Sequence, residues 1–190
     1  MNKIASAIAS AALLISASAW GQQAWDLQQL MAGLAQVPSH ESKFTEKKTV
    51  SLLKEPVESS GTLVYRRPDH LEKHVLQPKE EDIIVDGNEL TWKDAAGHSR
   101  SMRLNSNPNL AALSESVRAT LAGDLNGLQK YFSVKLDGSQ QQWKLTLTPT
   151  DEAMQRKILG LRITGSGNRV DTVEVQEKNG DRSLMMIQHE

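Results

Sequence analysis

The stretch Ser59-Ser-Gly-Thr-Leu-Val-Tyr-Arg-Arg-Pro-Asp-His-Leu-Glu-Lys-His-Val-Leu-Gln-Pro78, continuing as Lys79-Glu-Glu-Asp-Ile-Ile-Val-Asp-Gly87, decides the fold. It divides into three strand-like runs cut at Pro68 and Pro78, since proline cannot donate to a strand ladder. Asp86-Gly87 supplies the positive φ of a tight closing hairpin. Gly61, Leu63, Tyr65 and Arg67 share one strand face, while Thr62, Val64 and Arg66 take the other. Arg67 thus follows two apolar side chains on one face. Either it lies at the strand end and snorkels to water, or it meets a partner, because an unpaired charge is costly to bury.

Outward from this block the pattern stays mostly β. Glu41 to Leu53 reads as a long strand before the Glu55-Pro56 break, and Ser59–Arg66, His70–Leu76, Asp82–Val85, Glu89–Lys93 and Ser99–Leu104 follow. After a second helical section, Phe132, Val134 and Leu136 alternate up to an Asp137-Gly138 turn. Trp143, Leu145 and Leu147 alternate again to Pro149. Leu159–Thr164, Arg169–Glu177 and Arg182–Gln188 complete about eleven strands. Thr150 to Lys157 is one helical turn or an irregular loop.

Two helices carry apolar stripes. Leu27, Leu30, Met31 and Leu34 follow helical spacing after Trp25-Asp26 and stop at Val37-Pro38, and Leu110, Leu113, Val117 and Leu121 line a second helix ended by Gly123. A short turn from Asp124 to Lys130 follows. The expected fold class is mainly β with helices (α+β). A sheet this long must curl to hide its apolar face, and the helices would cover what an unclosed antiparallel barrel leaves open.

Residues 1–19 read as a cleaved secretory signal: Lys3, the apolar run Ile4–Ile15, and the small-residue site Ala17-Ser18-Ala19. Residues 20–190 would form one domain opening at Trp20. The apolar run is shorter than the roughly 20 residues a spanning helix needs. With no cysteine in the chain, stability rests on the core without disulfides, and thiolate metal sites are excluded. Loss of Lys3 leaves 21 basic against 23 acidic residues, a net charge of −2 without long blocks of either sign, which argues against a nucleic-acid partner.

Candidate chemistry is sparse. His70, Glu72 and His74 share one strand face, but they match no zinc-protease spacing, and the plainer reading is the wet face of a strand. Gly97-His98-Ser99-Arg100 lacks the second glycine of a nucleophile elbow, and Gly165-Ser166-Gly167 leads into a strand and not a phosphate-binding helix. Glu80-Glu81-Asp82 reads as a solvated edge beside Lys79. No metal, cofactor or catalytic group is expected.

Arg67-Pro68, Gln77-Pro78 and Val85-Asp86-Gly87, followed by Leu90 and Trp92, resemble the central block of the periplasmic outer-membrane lipoprotein carrier (LolA-like) family over Ser59 to Trp92. The resemblance implies an unclosed β-barrel of about eleven strands under a helical lid, around a cavity for acyl chains. It implies a monomeric periplasmic carrier that takes a lipoprotein from an inner-membrane ABC-type release complex and passes it to an outer-membrane acceptor. On that pattern Leu63, Tyr65, Leu71, Val75 and Trp92 line the cavity. Arg67 latches the lid by binding carbonyls of the helix bearing Leu110, Leu113, Val117 and Leu121. Leu71 and Lys73 depart from aromatic positions of the family, which points to an alternative cargo, a non-protein amphiphile such as a glycolipid or acylated pigment. A lipid-pocket hydrolase using His98 or Ser99 and a structural envelope protein are the readings from other classes.

Overall fold

The structure, a computed structural model, describes residues 25–189; the signal at 1–19 lies outside them. Asp26 caps the first helix, α1 (Leu27–Leu34), by accepting from the Gln29 N–H at 2.9 Å. There follow β1 (His40–Thr49), β2 (Val57–Arg66), β3 (His70–Gln77), β4 (Glu81–Asp86), β5 (Glu89–Asp94) and β6 (Ser99–Arg103). A single 3-10 turn leads into α2 (Pro108–Ala122) and α3 (Leu125–Gln129). The chain ends with β7 (Phe132–Ser139), β8 (Gln142–Pro149), α4 (Glu152–Gln155), β9 (Ile158–Ser166), β10 (Arg169–Glu177) and β11 (Arg182–Gln188).

All eleven strands form one antiparallel sheet in the order β6-β5-β4-β3-β2-β1-β11-β10-β9-β8-β7. The sheet is unclosed, with β6 and β7 at its two edges, and the chain between those edges is the helical section α2–α3. Pairing of β1 with β11, Phe44 opposite Ile187, joins the first and last strands in the middle.

The packed core is one-sided. Leu30, Met31 and Leu34 of α1, Ala112 and Ala119 of α2, and Leu128 of α3 bury against Trp143, Leu145, Leu147, Leu161 and Ile163 of β8 and β9. Among the described residues no such layer lies over the inner faces of β5 and β6, where Trp92 and Met102 are only partly covered or exposed.

Two expected boundaries move. β1 stops at Thr49, whose β11 partner Arg182 is the first residue of that strand, so beyond it the ladder has nothing to pair with. The Ser51 N–H and hydroxyl instead donate to the Asp181 carboxylate at 2.8 and 3.0 Å, and Leu52 is left 92% exposed. The expected Asp137-Gly138 turn lies inside β7, and Ser139 still pairs with Gln142, so the turn falls at Gln140-Gln141. Residues Thr150 to Lys157 hold one helical turn, α4, capped by Asp151.

Trp143 anchors the packed half. Its ring is 1% exposed, its Nε1–H donates to the Gly167 carbonyl at 2.9 Å, and it lies across Gly165. A Cβ at Gly165 would sit 2.2 Å from the indole and 2.0 Å from the Arg169 carbonyl. Gly165→Ala therefore overpacks this corner and should cost about 1–3 kcal/mol. Urea denaturation would register this as a lower midpoint, and an unchanged midpoint would contradict the packing described.

Candidate functional site

Where the packed half of the sheet gives way to the open half, a cavity of about 200 Å3 lies under α2. Leu63 and Tyr65 of β2, Leu71 of β3 and Val85 of β4 supply one wall; Ile163, Val173 and Ile187 from β9, β10 and β11 supply the other. Val117, Thr120 and Leu121 of α2 face the same space. The strands deliver these side chains by simple alternation, since Ser42, Leu63, Lys73 and Ile83 lie in register across β1 to β4.

Beyond the cavity-lining part of β2, Arg67 ties the sheet to the end of α1. It lies just past β2 and is exposed, yet its Nη1 donates to the carbonyl of Ala35 at 2.7 Å and to that of Val37 at 3.4 Å. Ala35 is the C-cap of α1, whose last carbonyls lack helical partners, and a guanidinium is well suited to them. The Arg67 N–H also donates to Ser39 Oγ at 3.1 Å. The end of α1 in turn supports α2: Gly123, at φ 69°, caps α2 so closely that a Cβ there would be 2.1 Å from the Met31 carbonyl.

A model of the family described as outer membrane lipoprotein carrier protein LolA-like matches residues 19–188. The chain belongs to this LolA-like family. It is 27% identical over 190 residues to a Ralstonia nicotianae protein named outer-membrane lipoprotein carrier protein, covering 94% of this chain and 84% of that one. Among solved structures it is similar to a LolA superfamily protein from Nitrosomonas europaea, at 9% identity and a TM-score of 0.48 over 87% of this chain and 93% of that one. It is also similar to a chain of the MucA/MucB complex of Pseudomonas aeruginosa, at 13% identity and a TM-score of 0.44 over 86% and 56%.

Against the LolA-like expectation, the carbonyls held by Arg67 belong to the end of α1 and not to the helix of Leu110 to Leu121. Register explains the difference: His40 pairs with Tyr65, so the segment leading from α1 into β1 runs beside the end of β2. The α2 helix reaches the same loop through different residues, with Arg118 Nη1 3.6 Å from Asp69 Oδ2. Of the four expected lid residues, Val117 and Leu121 face the cavity; Leu113 packs against the core, and Leu110 is half-buried away from the cavity lining. The most buried face of α2 is instead Ala112, Ser116, Ala119 and Thr120, small residues that let the helix lie close to the sheet.

Of the expected cavity residues, Leu63, Tyr65 and Leu71 line it, whereas Val75 and Trp92 do not. Lys73 occupies the step between Leu71 and Val75, its ammonium 5.0 Å from the centre of the Phe44 ring, and Val75 falls beyond it in a polar cleft with Glu81 and Lys93. Trp92 is one strand further out than the cavity-lining Ile83. It sits in a groove with Leu90 and Met102, where its Nε1–H donates to Glu81 at 3.1 Å. The contributions of β9 to β11 depend on the long-range pairing of β1 with β11, for which no local motif exists.

The outer face carries the polar groups singled out in the sequence. Glu72 accepts from His70 Nε2 and from His74 Nε2, each at 2.7 Å, and from Arg66. His74 Nδ1 meets Asp82 at 2.7 Å. The hydrogen bond from His70, joined by those from Arg66 and His74, lowers the Glu72 carboxyl to about 2. Asp82, then Glu72, raise the His74 imidazole above its ordinary 6.5. Among the described residues no group of three or more His, Asp or Glu side chains is placed to hold a metal ion. His98 pairs with Asp94 at 3.0 Å in an exposed turn outside the cavity, and Ser99 beside it is exposed.

Because the folded His74 is raised, its contribution to stability is complete below the ordinary imidazole value and is lost as pH rises through the folded value. The Glu72 contribution is present above the ordinary carboxylate range, near 4.3, and is lost as pH falls through about 2. An NMR titration should place the His74 ring above 6.5 in the native protein, and Glu72→Gln should move it downward. Equal midpoints in the two proteins would show that Glu72 does not hold the imidazolium.

Proposed function

We propose that this LolA-like protein is a soluble carrier of the periplasm, released from a signal at 1–19 as a single monomeric domain of residues 20–190. It encloses acyl chains of a lipoprotein or lipid and shuttles them from the inner to the outer membrane. The observation that carries this reading is the apolar cavity beneath a helix that rests on only part of the sheet. The printed name of the Ralstonia nicotianae relative supports a lipoprotein as cargo. On this reading an ABC-type complex in the inner membrane loads the carrier, an outer-membrane acceptor unloads it, and no covalent reaction takes place.

At about 200 Å3 the cavity falls below the roughly 300–1,000 Å3 of ordinary ligand pockets, so this form is closed and must widen for cargo. Widening moves α2 away from β2 and β3, and with it the end of α1 held by Arg67. Each buried methylene of an acyl chain contributes about 0.8 kcal/mol, so a chain outweighs the exposed Arg67 contact, worth about 1 kcal/mol. The alternative cargo, a non-protein amphiphile, is favoured by Lys73, an ammonium-bearing residue in the cavity wall.

Native mass spectrometry with lipid extraction on protein taken from the periplasm tests the carrier reading, with a bound acylated species expected. Arg67→Leu should raise affinity for acyl chains roughly fivefold, equivalent to about 1 kcal/mol removed from the closed form. Clean lipid-free protein that also ignores a hydrophobic fluorescent probe would replace the carrier with a structural envelope protein. Unchanged chain affinity in Arg67→Leu would remove the latch alone.

A further inference from the structure

Lys73 and Glu46 face inward from β3 and β1, on a wall that is otherwise mostly apolar. Their ammonium and carboxylate are hydrogen-bonded, with side chains only 22% and 16% exposed. The partners are not equivalent with respect to the cavity: Lys73 lines it, and Glu46 does not. Both Glu46 oxygens are engaged, one by Lys73 and more distantly by the Ser59 hydroxyl at 3.5 Å, the other by the Ser183 hydroxyl. Burial pushes the Glu46 carboxyl up, and the Lys73 ammonium together with the Ser183 hydroxyl more than offsets this, so it stays ionised below its usual range.

Glu46 takes one of the three ammonium protons, and the Phe44 ring at 5.0 Å supports the cation from one side. Two ammonium protons therefore remain on Lys73, whose side chain borders the cavity. Apolar residues would pack this wall without the desolvation cost of an ion pair, so core packing does not account for the charge. Leu63 and Ile83 flank Lys73 in register, and Leu71, Tyr65, Val117 and Leu121 continue the apolar wall toward α2. The arrangement is amphipathic, with a cation at one end and a greasy wall leading away from it.

Resting on the carrier reading above, we propose that Lys73 is the seat of an anionic head group, a carboxylate or phosphate, on an amphiphile whose chain runs along Leu71 and Tyr65 toward α2. In the empty form Glu46 serves as the internal counter-ion that holds the Lys73 ammonium in place. Neutral head groups on the same chain bind more weakly, and cationic ones more weakly still.

The test compares laurate, monododecyl phosphate, monolaurin and dodecylammonium, which share one chain length, by isothermal titration below their micelle concentrations. The intact protein should bind the better anionic ligand about tenfold or more tightly than monolaurin, as expected of one charge-assisted hydrogen bond. The stronger of laurate and monododecyl phosphate identifies the source as a fatty acid or a phospholipid. Lys73→Met should bring the anionic and neutral ligands to within about twofold of each other. Since that variant leaves Glu46 unpaired, Lys73→Met with Glu46→Gln removes the whole pair and should show the same loss of preference. Equal affinity for all four head groups in the intact protein, or a preference that survives both variants, overturns the head-group seat and leaves the carrier standing. If none of the four binds, both ideas fall.

Discussion

Eleven antiparallel strands in a single sheet present more concave surface than the helices can cover, and most of what is particular to this molecule follows from that mismatch. The chain leaves the sheet at edge strand β6 and returns at the opposite edge, β7, so α2 and α3 must cross the concave face between them. They settle over β7 to β10, where Trp143, Leu145 and Ile163 are almost completely buried. The small residues Ala112, Ser116 and Ala119 allow α2 to lie close there, while its Val117 and Leu121 pack against the core and also roof the cavity.

The two halves are held by different forces. One half has a conventional core, and the other, from β2 to β6, has less apolar burial and a strip of cross-strand polar contacts on its outer face. Arg66, His70, Glu72, His74 and Asp82 bind across β2, β3 and β4, with Glu72 at the centre. Such contacts hold strands in register without filling the concave side. An inner face left free of packing is what a binding cavity requires.

The alternation of Leu63 and Tyr65, the prolines at 68 and 78 and the Gly87 hairpin made the strand framework readable, because each follows from local backbone chemistry. The one-sided core was not readable in the same way. The stripe Leu110, Leu113, Val117 and Leu121 marks a helix, but it does not say that Val117 and Leu121 border the cavity while Leu113 packs only against the core. Likewise the face occupied by Arg67 was clear from its position after Tyr65. Its partner at Ala35 depends on β1 pairing with β2 in a register that brings the end of α1 alongside, and that register is a property of the assembled sheet. The inward Glu46 was not legible for a related reason: alternation puts it on one strand face with Phe44, but only Lys73 from a separate strand makes an inward carboxylate tenable.

The placement of charges also sets how strongly the helices are tied to the sheet at their margin. Had Arg67 been buried against α2, breaking its contact would have left a desolvated charge, at a cost of about 3–5 kcal/mol. Exposed and bound to carbonyls at the end of α1, it can exchange them for water at a cost nearer 1 kcal/mol. The Arg118–Asp69 contact is similarly loose at 3.6 Å. Between these ties α2 is held by Ala112, Ser116 and Ala119, which are almost completely buried, and by Val117 and Leu121, which pack against the core and border the cavity. Among the described residues the helices therefore meet the sheet chiefly through apolar contacts, with the polar ties of Arg67 and Arg118 confined to their margin.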